Sequence, residues 1–234
     1  MTRSRFVVGA AFFLGLFVAE PVVGTEPIAG AAKFAAANVR FEQNATDGDV
    51  EVVFEVKGGS DGLKTLKILS PDGRTVADFA AHADGSTLGI RQFEFESPEP
   101  TDVAGLKAAY PEGKYTFVGM TTGGTVLHGE ATLSHQLPDT TTFGHPGAEA
   151  ENVGIRDLAI TWSPTDDSVA YVLELEADGS DASLKAVLPG TATGFAVPNG
   201  FLRPGSEYQL GIGTVSAEGN LSFVETSFTT AEAE

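Results

Sequence analysis

The chain has 234 residues, 42% of them hydrophobic, with 32 acidic against 14 basic residues and a formal charge of −18. That length holds one large domain or two of ordinary size, about 100 residues each, and the apolar content excludes a generically disordered chain. The negative field makes nucleic acid and anionic membrane poor partners, and the absence of cysteine excludes disulfides, thiolate catalysis and thiolate-bound metal.

At the N-terminus Arg3 and Arg5 precede an apolar run from Phe6 to Ala19. A charged start followed by a short apolar stretch predicts a secretory signal peptide over residues 1–24, with Val22 and Gly24 as the small residues before the cut. The run is shorter than the ~20 apolar residues that cross a bilayer, so the mature chain is expected to be exported, periplasmic or extracellular, without a membrane span. Residues 25–37, rich in Ala and Gly, are expected to be a flexible lead-in.

A first domain is expected over 38–138. Val50, Val52, Phe54 and Val56 alternate with Glu51, Val53 and Glu55, the period of a strand with one buried face. Gly58-Gly59-Ser60-Asp61-Gly62 is a loop, Leu66 and Ile68 share a face of the next strand, and Ser70-Pro71-Asp72-Gly73 is a β-turn. Phe93 and Phe95 mark another strand, and one or two turns of helix are expected between Thr101 and Ala109. Pro111 and Tyr115 then open a strand that continues through Phe117, and Ala131-Thr132-Leu133 closes the domain after a turn at Gly123-Gly124. Residues 139–150, with Gly144-His145-Pro146-Gly147, read as a hinged linker.

The second domain, expected over 151–231, has the clearest pattern. Leu158, Ile160 and Trp162 alternate with Ala159 and Thr161, and Tyr171, Leu173 and Leu175 alternate with Val172, Glu174 and Glu176. Further strands are expected at 184–188, 193–197, 208–215 and 221–228, a spacing of roughly ten residues that argues for a sandwich. Leu202, Pro204 and Tyr208 stand in L-x-P-x-S-x-Y spacing, with Trp162 and Tyr171 upstream as core aromatics. This set resembles the tyrosine corner and core of fibronectin type III domains. The resemblance implies a Tyr208 ring buried at the start of the penultimate strand, its hydroxyl bonded back to the crossing backbone. The step from Pro111 to Tyr115 equals that from Pro204 to Tyr208, but Ala109 stands where the family has Leu, so the first domain is expected to be immunoglobulin-like. The run from Pro111 through Thr121, with Ala131 to Pro138, also resembles a family of exported bacterial proteins that carry such a domain before a fibronectin-like one. That likeness implies export and architecture and no activity. The expected fold class is therefore all-β, two tandem antiparallel β-sandwiches after a signal peptide.

The search for chemistry yields little. Gly58-Gly59-Ser60-Asp61-Gly62 matches the G-x-S-x-G nucleophile elbow, which requires a strand turning into a helix. Residues 63–69 reach the Ser70-Pro71 turn before a helix could form, and βαβ periodicity is missing. His82, His128, His135 and His145 show no H-E-x-x-H spacing. The acidic turns at Asp47-Gly48-Asp49, Asp166-Asp167 and Asp178-Gly179-Ser180-Asp181 lack the twelve-residue calcium-loop plan. No catalytic residue, cofactor or metal-ligand set is assigned. Asn44-Ala45-Thr46 and Asn220-Leu221-Ser222 satisfy the glycosylation sequon incidentally. The expected function is a non-catalytic exported module binding a protein or cell-surface polymer. A carbohydrate- or calcium-binding accessory protein and a hydrolase with scattered catalytic residues are the alternatives.

Overall fold

The computed structural model describes residues 30–82, 88–100 and 102–233; the expected signal peptide and the first residues of the lead-in lie outside them. The first half holds β1 (Ala32–Lys33), β2 (Ala36–Asn44), β3 (Asp49–Lys57), β4 (Leu63–Leu69), β5 (Thr75–Ala80), β6 (Gln92–Glu96), the helix α1 (Val103–Ala109), β7 (Gly113–Thr121) and β8 (Val126–Leu133). The second half holds β9 (Phe143–His145), β10 (Ala150–Val153), β11 (Ala159–Trp162), β12 (Ala170–Ala177), β13 (Ser183–Pro189), β14 (Gly194–Ala196), β15 (Glu207–Val215) and β16 (Leu221–Thr230). Among the described residues no helix is long and apolar enough to cross a membrane.

The strands make two β-sandwiches on one plan. In the first, β2-β3-β6 faces β8-β7-β4-β5 across a core of Val39, Phe41, Val52, Phe54, Leu66, Ile68, Tyr115 and Phe117. In the second, β9-β11-β14 faces β13-β12-β15-β16 across Ile160, Trp162, Tyr171, Leu173, Tyr208, Leu210, Ile212 and Phe228. Each sandwich gains a short parallel strand, β1 beside β8 and β10 beside β16. Alternation supplies the reason: every second side chain along β3, β12 and β15 is large and apolar, and only an inward face can bury it.

Three expectations give way. Part of the lead-in is ordered, because Phe34 packs into the first core, its ring lying where Cβ atoms at Gly119 and Gly129 would stand 2.9 and 3.2 Å away. Residues expected as linker carry β9, which pairs with β11, and Ala150 opens β10. The third is the hinge. β16 pairs in parallel with β2, Leu221 opposite Glu42, Ser222 opposite Gln43 and Phe223 opposite Asn44. One sheet of eight strands therefore runs through both sandwiches.

Candidate binding cleft at the junction

The residues singled out in the sequence are placed as follows. Trp162, Tyr171, Leu202, Tyr208 and Tyr115 are buried, Pro111 is half-buried and Pro204 is exposed. Tyr208, 1% exposed, stacks on Phe228 with ring centroids 5.5 Å apart. Its Oη accepts from the backbone N–H of Arg203 at 2.9 Å and donates to the Phe201 carbonyl at 3.4 Å. Tyr115 Oη donates to the Pro111 carbonyl at 3.1 Å, and burial pushes its phenol up to about 12. Both phenols begin corresponding strands, β15 and β7, and both tie the strand to the bend before it. Tyr171 Oη accepts from the Thr165 N–H at 2.8 Å, while the indole N–H of Trp162 is buried without a hydrogen-bond partner.

The candidate nucleophile does not acquire the geometry of one. Ser60 is exposed in a loop from β3 to β4, two strands, so nothing lifts its hydroxyl over a helix N-terminus. Gly62 there serves packing, since a Cβ on it would stand 1.9 Å from the Leu88 carbonyl oxygen, and Gly59 supplies a backbone turn at φ +96°. The histidines are dispersed as well. His135 Nε2 lies 2.8 Å from the Tyr110 carbonyl and its ring packs on Phe41, His128 sits in β8, and His82 and His145 are exposed. Among the described residues no group of three His, Asp or Glu side chains converges as metal ligands.

What the structure brings together instead is the junction. Asn220, 1% exposed, accepts from the Phe41 N–H at 2.8 Å and donates to the carbonyls of Ser134 and Gln136, each at 2.9 Å. Ser222 Oγ donates to the Pro138 carbonyl at 2.8 Å and accepts from Gln43 Nε2 at 2.9 Å. Thr214 Oγ1 donates to the Asp139 carbonyl at 2.7 Å. These buried side chains satisfy the backbone of residues 134–139, which belongs to no strand and otherwise has no ladder partner. The Asn-Leu-Ser triplet that mimics a glycosylation sequon is thus a structural rivet, its amide enclosed by the fold. Sequence reasoning missed it because its partners lie 84 to 179 residues away.

On the outer face of the shared sheet, opposite both cores, charged side chains form pairs. Arg40 Nε meets Glu42 at 2.6 Å, Lys57 meets Glu55 at 2.5 Å, and Lys185 meets Glu174 at 3.1 Å. Burial raises the carboxyls of Glu42 and Glu174 above the ordinary range, with Arg40 and Lys185 respectively pulling them back. Beside them Ala170, Val172, Val215, Leu221 and Phe223 form a third, smaller apolar cluster. Among these groups lies a cleft of about 270 Å³, lined by Asn38, Arg40 and Glu55 of the first sandwich and by Val169, Val172, Leu221 and the Ser216–Gly219 turn of the second. An apolar wall facing a few oriented polar groups is the usual make-up of a ligand site, and such sites concentrate where two structural units meet.

No protein-family model and no curated protein matches the chain. Solved structures to which it is similar include fibronectin(III)-like modules of Clostridium thermocellum CbhA, at 12% identity and a TM-score of 0.36, covering 85% of this chain and 92% of that one. A segment of two fibronectin type III domains from chicken tenascin matches at 12% identity and a TM-score of 0.32, covering 85% of this chain and all of that one. The FN1–FN3 domains of chicken CNTN1 match at 13% identity and a TM-score of 0.32, covering 84% and 67%. The second sandwich is fibronectin type III-like in its strand plan and in the phenol that pins it.

Proposed function

We propose that the chain is an exported, non-catalytic module that binds a protein or a cell-surface polymer, with the cleft between Arg40 and Val169 as the contact site. The observation that carries this reading is the cleft's composition: Arg40, Asn38 and Glu55 facing Val169 and Val172, both sandwiches contributing. Export rests on the Arg3/Arg5 start and the apolar run that follows. The loop holding Ser60 supports a non-catalytic role, since it joins strand to strand. The carbohydrate alternative is weakened by the placement of Trp162, Tyr171 and Tyr208, whose rings are spent inside the second core.

A photo-crosslinking residue at Val169 or Glu218, introduced into the exported protein in cells, tests the assignment. A defined adduct is expected from both positions and none from Lys67, which lies on the far sheet. The same adduct from all three, or no adduct from the cleft, overturns the site. An esterase activity that Ser60→Ala abolishes would overturn the non-catalytic reading.

A further inference from the structure

The shared sheet ends at β13, which among the described residues pairs with β12 alone. Two backbone bonds fix which groups of β13 that pairing uses. The Ala177 N–H donates to the Ala182 carbonyl and the Gly190 N–H to the Val169 carbonyl, each at 3.0 Å, and both continue the register of the β12–β13 ladder. Bonded pairs alternate along an antiparallel ladder, so Leu184, Ala186 and Leu188 are the residues bonded to β12. Ser183, Lys185 and Val187 therefore turn their N–H and C=O groups outward, along an edge seven residues long. All three are exposed.

Open edges are normally blunted by short length, bulges, proline or outstanding charge. Other edges of this fold follow that rule. The register of β5 shifts between Ile68 and Leu69 and Asp78 stands exposed on it, β6 carries Glu94 and Glu96, and β9 and β14 have three residues each. β13 departs from it. Its register is unbroken, Lys185 reaches back across the sheet to Glu174 at 3.1 Å, and Pro189, which lacks an N–H, stands at the last position. Val187 is 41% exposed on the outer face, and on the inner face Leu184, Ala186 and Leu188 are only partly buried against the second core.

Charge selects the occupant. Glu176 lies opposite Ser183 in the ladder, and Asp178 and Asp181 are exposed in the hairpin that joins β12 to β13. Because Ser183 is small, a long cationic side chain on a strand laid beside it reaches Glu176, and opposite charges on one sheet face attract. A second copy of the chain, itself at −18, is repelled. We propose that β13 receives an extended segment of a protein partner as an added strand, with alternate apolar side chains over Leu184, Ala186 and Leu188 and a lysine or arginine beside Glu176. In such pairing the main-chain bonds supply affinity and the alternate side chains supply selectivity. Docking of this kind presupposes a protein-binding chain, as proposed above, but not the cleft.

The test takes the full chain and an extended peptide in which valine alternates with threonine, one terminal threonine being replaced by lysine. Saturable binding is expected, with the amides of Lys185 and Val187 passing from fast to slow hydrogen exchange. The same peptide N-methylated at its threonines, whose N–H groups would face β13, should bind about tenfold more weakly or worse. Val187→Pro removes an outward N–H and no ladder bond, so it should weaken binding to a similar degree while the chain stays folded. Glu176→Lys should weaken the lysine peptide and favour one with glutamate in its place. No binding at about 1 mM, equal binding of the N-methylated peptide, protection confined to amides outside β13, or binding unchanged in both variants overturns the proposal. Protection of Lys185 and Val187 that rises with protein concentration and without peptide would give the edge to a second copy and overturn it as well. Crosslinking from Val169 and Glu218 reads the cleft separately, so either site can fail without the other.

Discussion

Two tyrosines and one asparagine show how single polar atoms hold this fold. Tyr208 Oη is the acceptor for the Arg203 N–H, whereas Tyr115 Oη only donates to the Pro111 carbonyl. An orphaned N–H costs more than a carbonyl that loses one of two bonds. Tyr208→Phe is therefore expected to cost about 1–2 kcal/mol and Tyr115→Phe about 1 kcal/mol or less, read as lower urea midpoints at unchanged slope. An equal or reversed order would show that the rings, not the hydroxyls, do the pinning. Asn220→Ala strands one N–H and two carbonyls in the junction and is expected to cost roughly 3 kcal/mol. Asn220→Asp restores the acceptor for Phe41 but turns an anion toward the carbonyls of Ser134 and Gln136, so it should rescue nothing.

At the scale of elements, β3 carries the sharpest contrast. Its inward residues Val50, Val52, Phe54 and Val56 belong to the first core, while its outward residues Glu51 and Glu55 are buried acids. Glu55 is met by Lys57 and Asn38; Glu51 faces Glu42, Glu96 and Glu99, with Arg40 offsetting them. Its folded pKa lies above the unfolded value, so the folded chain keeps a proton that the unfolded chain releases. Stability is thus expected to fall as pH rises from 4.5 toward about 8 and to level above that. Urea midpoints at pH 5, 7 and 9 read it directly; Glu51→Gln should flatten the upper part of the slope, and an unchanged profile would remove Glu51 as its source.

Across the whole molecule, the two cores are separate but the sheet is not. Three paired residues of β16 and β2, the Asn220 rivet and the Ser222 and Thr214 bonds join them. Calorimetry of the full chain is expected to give a single unfolding transition, because opening one sandwich strips backbone partners from the other. In Asn220→Ala the transition should broaden or split in two. Two resolved transitions in the unaltered chain would mean that the junction is weaker than either core.

Alternation of large side chains, read from the chain alone, determined the all-β class and most of the strands, because burial on one face imposes a period of two wherever a strand lies on a core. It also marked Tyr208 and Tyr115, whose hydroxyl partners are four to seven residues upstream and so lie within reach of local spacing. β2 escaped because its inward Val39 and Phe41 are flanked by Asn38, Arg40, Glu42 and Gln43, polar residues that only the outer face and the junction make sense of. The cleft was equally illegible. Its lining comes from residues brought together by the β16–β2 pairing across some 180 positions, and a contact made at that distance leaves no periodic trace in the chain. Only the tertiary fold decided that the two sandwiches share a sheet, since the polar side chains that join them satisfy backbone groups whose need for partners arises once the strands have already packed.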